Sequence, residues 1–276
     1  MIISRDLKSL NKSLGSARIK NFVGLIPTMG AIHSGHLSLV KTSKAKKCLT
    51  CVSIFINPTQ FNQNKDFEKY PRNENEDLRL LEESGCDIVF IPPENIIYPS
   101  GKRIAKTVKN FRDILCDKFR PNHFDGVTTV VKIFFDIFKP HYAFFGEKDY
   151  QQLIFINEMV KFFNLKTKII SCESIRDKYG MSLSSRYQRL NKKQKIIFQE
   201  ASKIILDAFS KIRQGQQIKK VTKECNYKLN DYGIRKIEYL EVRNENTMQT
   251  SEDVKNSRFF VAFLIDDIRI IDNFKL

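Results

Sequence analysis

The 276-residue sequence has no apolar run near the roughly 20 residues that a membrane-spanning helix requires. Its start, Met1-Ile2-Ile3-Ser4-Arg5-Asp6, meets charge too early for a secretory leader. A soluble, cytoplasmic protein with no membrane partner is expected. Cysteine is sparse and scattered: Cys48, Cys51, Cys86, Cys116, Cys172 and Cys225 form no dense framework of the kind that staples secreted scaffolds. The Cys48-Leu49-Thr50-Cys51 spacing leads into the apolar run Val52-Ser53-Ile54-Phe55-Ile56 instead of opening a helix, and no second pair completes a zinc site. Reduced, structural thiols are the expectation. Internal repeats and low-complexity tracts are also missing.

Acid is in deficit, with 31 Asp and Glu against 47 Lys and Arg, giving a formal net charge of +16. Such a balance suits polyanions, whether nucleic acid, a membrane surface or a phosphorylated small molecule. The lysines run from Lys8 to Lys275 with only short clusters, which reads as a solvated surface. No interleaved aromatic platform for RNA is visible, and no nucleic-acid partner is expected.

Histidine is rarest of the titratable residues, at four, and two stand three residues apart in Pro27-Thr28-Met29-Gly30-Ala31-Ile32-His33-Ser34-Gly35-His36. This segment follows the apolar run Phe22-Val23-Gly24-Leu25-Ile26 and reads as strand, tight turn and helix start. A helix beginning near Ser34 sets His33 and His36 on one face of its first turn, where unpaired N–H groups and the positive dipole end favour an anion. The alternative is a packed or metal-binding histidine pair.

Strand candidates alternate with helices up to about Ser171: Phe22 to Ile26, Cys51 to Ile56, Asp87 to Ile91, His141 to Phe145 and Lys168 to Cys172. Helices are expected near Leu37 to Lys47, Asn75 to Ser84, Val127 to Phe138 and Lys148 to Phe163. In the third helix Val127, Val130, Val131, Phe134, Phe135 and Phe138 form an apolar stripe. This alternation predicts an α/β fold, a Rossmann-like doubly wound parallel sheet over residues 1–174, with ligands at the carboxyl ends of its strands. After about Ser174, the helical stretches Asn191 to Arg213 and Gln217 to Asn230 precede the strands Ile237 to Val242 and Phe259 to Ile265. They predict a smaller α+β C-terminal domain over residues 175–276.

The polar clusters all follow predicted strands. Gly146-Glu147-Lys148-Asp149-Tyr150-Gln151-Gln152 reads as a second strand-to-helix turn, in which a helix from Lys148 would bring Lys148 and Gln152 onto one face. Lysine suits phosphate, and Asp149 can accept from ribose hydroxyls. Asn57-Pro58-Thr59-Gln60 could set Gln60 opposite Gln152, two neutral amides suited to a hydroxylated acid. Ser184-Ser185-Arg186 supplies two hydroxyls and a guanidinium for a triphosphate. Arg120-Pro121-Asn122-His123-Phe124 offers either a further cation and imidazole or a capped turn.

In order along the chain, these segments, with Tyr70-Pro71-Arg72 and the ending Arg269-Ile270-Ile271-Asp272-Asn273, resemble the pantoate–beta-alanine ligase family of the HxGH nucleotidyltransferase superfamily. The resemblance implies condensation of pantoate with beta-alanine to pantothenate, a coenzyme A precursor, through a pantoyl adenylate, with release of AMP and pyrophosphate. It implies ATP binding by Met29, Gly30, Ala31, Ile32, His33, Ser34, Gly35 and His36, by Gly146, Glu147, Lys148 and Asp149, by Ile175 at the adenine, and by Leu183, Ser184, Ser185 and Arg186 closing over the phosphates as part of a lid. Gln60 and Gln152, with Asn57, match the pantoate positions. His36 matches the family's proton donor; because attack by a carboxylate needs no base, His36, His33 and Lys148 read as groups that stabilise phosphate charge. Mg2+ is implied with ATP, without assigned protein ligands, although Glu76-Asp77 matches an acidic pair of the family. A homodimer is implied as well. The chain departs from the family pattern at Asn122 and near Asp117, where glycines are usual, at Tyr179, and at Tyr187, so loop and lid geometry could differ. A runner-up within enzymes is another nucleotidyltransferase that activates a small acid or phosphate ester.

Overall fold

The computed structural model describes residues 1–15, 18, 21–62 and 64–276, with backbone alone at 64 and 65. The chain divides into two compact units, Met1–Ile175 and Arg176–Leu276.

Unit 1 is built on six parallel strands: β1 (Ile2–Ser4), β2 (Val23–Thr28), β3 (Leu49–Ile54), β4 (Ile88–Phe90), β5 (Tyr142–Gly146) and β6 (Lys168–Cys172). Their spatial order is β1-β4-β3-β2-β5-β6. The chain runs outward from β2 through β3 and β4, then returns to lay β5 along the other side of β2. That reversal makes the carboxyl ends of β2 and β5 the topological switch point, the place where open α/β sheets bind ligands. The architecture is the Rossmann-like one that the strand-helix alternation predicts. Edge strand β1 lies outside that prediction; three residues are too few to show periodicity, and only pairing with Ile88–Phe90 defines it.

The helices of unit 1 are α1 (Leu7–Gly15), α2 (Ser34–Ala45), α3 (Asn64–Glu68), α4 (Glu74–Glu83), α5 (Glu94–Ile97), α6 (Leu115–Phe119), α7 (His123–Phe138) and α8 (Tyr150–Phe162). Helix α7 buries Val127, Val130, Val131, Phe134, Phe135 and Phe138, the predicted stripe. On another part of the core, Leu39 and Val40 of α2 and Leu81 of α4 cluster with Ile26, Val52, Val89 and Phe144 of the sheet. Each large side chain so buried contributes about 1.5–3 kcal/mol.

Unit 2 holds an antiparallel sheet in the order β7-β8-β9, formed by β7 (Lys236–Asn244), β8 (Ser257–Ile265) and β9 (Ile268–Lys275). Helices α9 (Lys192–Arg213) and α10 (Ile218–Asp231) share its core through Phe198, Ile205, Ile212, Val221 and Leu229, against Phe259, Val261 and Phe263. All six cysteines are free and buried, so Cys48 and Cys51 form no disulfide.

Candidate active site

The turn after β2 is closed by the two histidines themselves. His33 is the N-cap of α2, with extended backbone (φ −144°, ψ 174°), and its Nδ1 accepts from the Gly35 N–H at 3.1 Å. His36 Nδ1 in turn accepts from the His33 N–H at 3.4 Å, completing a reciprocal cap of the kind usually built from serine and glutamate. The rings lie tilted together, centroids 4.1 Å apart. A Cβ at position 35 would stand 2.8 Å from His33 Cε1, so only glycine lets the first ring fold back over the helix start.

Surrounding protein strips water from both rings, and the nearby Lys148 charge adds to the effect. His33 is lowered to about 4, partly offset by Asp149, and His36, also disfavoured by His33, to about 3. Both are therefore neutral at pH 7. Since Nδ1 of each accepts a backbone hydrogen, each carries its proton on Nε2, leaving one ring donor apiece.

A buried carboxylate braces the turn. Asp77 of α4 accepts from the Ala31 N–H at 2.9 Å and the Ile32 N–H at 2.7 Å, and it fixes left-handed backbone at Gly30 (φ 79°) and Ala31 (φ 50°). Burial raises the Asp77 pKa against these two stabilising hydrogen bonds. Its neighbour Glu76 instead pairs at the surface with Arg79, 2.6 Å away. Among the described residues no group of three or more His, Cys, Asp or Glu side chains could hold a metal ion. The acidic pair thus offers no dedicated cage: Asp77 serves the loop and Glu76 an arginine.

Gln60 ends the short 3₁₀ turn Pro58–Gln60 after β3 and is fixed from several directions. Asn57, 1 % exposed, donates through Nδ2 to Gln60 Oε1 (3.2 Å) and to the Gly126 carbonyl (3.1 Å). Its Oδ1 accepts from the Thr59 hydroxyl (2.9 Å) and the Tyr98 hydroxyl (2.6 Å). Every polar atom of the Asn57 amide is thereby used within the protein. The Gln60 main-chain carbonyl accepts from His123 Nδ1 (2.7 Å) and Arg120 Nη2 (3.2 Å), while Arg120 Nη1 lies 3.0 Å from His123 Nε2. Gln60 Nε2 meets the Met29 sulfur at 2.8 Å. Among the described residues, one N–H and one Oε1 lone pair remain on the Gln60 amide, a donor and an acceptor for a ligand.

Arg120 and His123 are therefore tied to the Gln60 loop. Asn122, where the resemblance implies glycine, adopts φ 63° and ψ 0°. Asparagine tolerates this left-handed conformation better than most residues, so the turn needs no glycine there.

The segment after β5 differs from the expected helix start. Glu147–Asp149 form a 3₁₀ turn and α8 begins only at Tyr150, so Lys148 and Gln152 are not successive positions on one α-helical face. The interruption sits at Asp149, whose φ −96° and ψ 56° are not helical. The Lys148 ammonium lies 3.7 Å from Asp149 and acts on both His33 and His36. Glu147 accepts from the Ser171 hydroxyl at 2.6 Å. The adjacent glutamines part company: Gln151 is buried and bonded to Cys116 N, Phe111 O and Ile114 O, while Gln152 is half-buried. Ile175, the last residue of unit 1, is 38 % exposed.

In unit 2, Ser184 caps a 3₁₀ turn, Ser185–Arg189, by accepting from the Arg186 N–H at 3.3 Å. Leu183 and Arg186 are half-buried and Ser185 is buried. Tyr187 lies tilted against Phe198, ring centroids 4.5 Å apart, and Tyr179 packs against the core of this unit. Both tyrosines thus have apolar sites in the fold. Sequence reasoning does not single out Asp77, Tyr98 and Gly126 as the supports they are; the partners they serve lie 40 or more residues away.

Residues 2–275 match the family model described as pantoate-beta-alanine ligase. A pantothenate synthetase of Acetivibrio thermocellus is 39 % identical over 274 residues, covering 97 % of this chain and 95 % of the relative. One from Thermoanaerobacter pseudethanolicus is 39 % identical over 276 residues, covering 99 % and 98 %. Among solved structures, pantothenate synthetase from Thermus thermophilus gives a TM-score of 0.89 at 29 % identity, covering 100 % of this chain and 99 % of that one. The Francisella tularensis pantoate-beta-alanine ligase, solved in complex with beta-gamma ATP and beta-alanine, gives 0.85 at 35 % identity, covering 100 % and 97 %.

Proposed function

This chain belongs to the pantoate–beta-alanine ligase family, and from that premise we propose that it forms pantothenate in two half-reactions driven by ATP. In the first, a pantoate carboxylate oxygen attacks the α-phosphorus of ATP; the new P–O bond forms as the bond to the β-phosphate oxygen breaks, and pyrophosphate leaves. In the second, the free amine of beta-alanine attacks the acyl carbon of pantoyl adenylate; the C–N bond forms, the acyl C–O bond breaks, AMP departs, and the nitrogen gives up one proton to solvent.

The observation that carries this reading is the pair of neutral imidazoles capping α2 next to Lys148. Their Nε2–H groups and the lysine, at the positive dipole end of α2, form a preorganised set of donors for charge that grows on phosphate oxygens during displacement. In the free protein, with its pKa lowered to about 3 by burial, His33 and Lys148, His36 is a neutral hydrogen-bond donor. Gln60, with one free donor and one free acceptor, and Gln152 hold the hydroxy acid. Asn57 supports the pantoate site by orienting Gln60, since its own amide is fully engaged. Met29–Ile32, Ser34 and Gly35 shape the phosphate end, with the N–H groups of Gly30, Ala31, Ile32 and Gly35 held by Thr28, Asp77 and His33. Gly146–Asp149 and Ile175 serve the ribose and adenine, and Leu183–Arg186 the polyphosphate.

Magnesium comes on the nucleotide's phosphates, which suits a cation that keeps several waters and few protein ligands. Six free, buried thiols fit a reducing compartment, the cytoplasm. The active form is a homodimer, to be checked by light scattering. With purified protein, ATP, magnesium, pantoate and beta-alanine, AMP, pyrophosphate and pantothenate should appear in equal amounts. AMP that forms equally fast without pantoate would contradict the scheme.

A further inference from the structure

One carboxylate near the end of the chain ties the serine–arginine loop of unit 2 to its sheet. The Asp272 side chain on β9 is 0 % exposed. Its Oδ2 accepts from the Ser182 N–H at 2.7 Å and pairs with Arg176 Nη1 at 3.0 Å. Its Oδ1 accepts from the Ser182 hydroxyl at 2.5 Å and from the Asn273 N–H at 2.7 Å. Arg176 is spent on the same place: it donates to the Gly180 carbonyl (2.9 Å) and the Asn273 carbonyl (2.8 Å), with its guanidinium 4.3 Å from the centre of the Phe274 ring. Between them the chain turns back on itself through an antiparallel bridge from Arg176 to Ser182, and Asp177 Oδ1 accepts from the Tyr179 and Met181 N–H groups.

A buried ion pair is weak evidence for stability, because apolar side chains of similar volume commonly do as well. What this one determines is location. Both Ser182 donors are fixed on Asp272, two residues before Ser184, whose hydroxyl in turn holds the Arg186 N–H. Burial raises the Asp272 pKa, Arg176 and the Ser182 hydrogen bonds oppose that rise, and the hydrogen-bond geometry matches the charged form.

We propose that Asp272 is a positioning residue for the Leu183–Arg186 loop, acting through Ser182 to hold the two hydroxyls and the guanidinium in place for a nucleotide polyphosphate. The proposal rests on the reading that this loop binds ATP.

The test uses the full-length chain as wild type, Asp272→Asn and Ser182→Ala, with steady-state kinetics and amide hydrogen exchange. Asp272→Asn should raise the KM for ATP by about tenfold or more, the scale of a misplaced binding group, and leave the KM for pantoate within about twofold. Exchange at residues 182–187 should accelerate while β7, β8 and β9 stay protected. Ser182→Ala, which keeps the backbone donor, should shift the KM for ATP the same way by less. If Asp272→Asn fails to fold, Ser182→Ala decides. An unchanged KM for ATP with unchanged exchange, or faster exchange throughout residues 176–276, overturns the proposal. Wild type that makes no pantoate-dependent AMP would instead overturn the ATP reading, and the exchange experiment would still report whether Asp272 holds the loop.

Discussion

His36 is asked to do two things at once, and they separate on mutation. As the third residue of α2 it closes the cap through Nδ1; as a neutral imidazole it carries on Nε2 the hydrogen proposed above to meet the phosphates. His36→Ala should lose about 1 kcal/mol of stability with the cap and slow adenylate formation by about 10² or more, the usual loss for one transition-state donor. Rapid-quench measurement of pyrophosphate release checks the second effect; near-normal adenylation would remove the role. Asp77 makes no such dual contribution. Asp77→Ala leaves the buried Ala31 and Ile32 N–H groups without their acceptor, at a cost of about 1–3 kcal/mol for each such group, and urea unfolding should show the fall.

At the scale of elements, α7 places the Asn57–Gln60 loop, proposed above to hold the acid. A Cβ on Gly126 would stand 2.5 Å from the Thr59 carbonyl oxygen and 2.9 Å from Gln60 N, so backbone meets backbone there. Gly126→Ala must push the Asn57–Gln60 turn away. We expect a loss of about 1–3 kcal/mol from overpacking, measured by thermal unfolding, and a rise in the KM for pantoate larger than that for ATP. A variant with equal rises in both would argue against a local effect.

The same elements show what sequence can and cannot reveal. The α7 stripe, the five core strands of the parallel sheet and the histidine turn are legible because their signals lie in consecutive residues: periodicity, apolar runs, glycine beside histidine. The α8 start falls two residues later than the sequence suggests, because Asp149, a residue type that favours the N-cap, takes that non-helical position. Strand β9 is not among the predicted strands although it pairs along its length with β8. The supports of the site are invisible for a deeper reason. Asp77 to Ile32, His123 to Gln60 and Asp272 to Ser182 are separated by 45, 63 and 90 residues, and one sequence holds no trace of which distant polar group a side chain will find.

For the whole molecule, the two histidines make the folded state sensitive to acid. Both folded-state values, about 4 and about 3, lie below the ordinary 6.5, so the unfolded chain takes up these protons first. Stability should therefore fall as pH drops from about 6.5 towards 4, and a double His33→Gln, His36→Gln variant should lose less stability across that window. A nucleotide phosphate set against the rings favours their charged forms, so saturating ATP should also shrink the loss. Denaturant titrations at pH 7, 6 and 5, with and without ATP, measure both effects.

The central claim, that the acid is activated as its adenylate, makes a demand on individual atoms. With pantoate carrying ¹⁸O in its carboxylate, the oxygen that attacks the α-phosphorus stays with that phosphorus when the amine displaces it. Mass spectrometry of the products should find one ¹⁸O in AMP, one in pantothenate and none in pyrophosphate. Unlabelled AMP, or label in inorganic phosphate alongside ADP, would contradict the account.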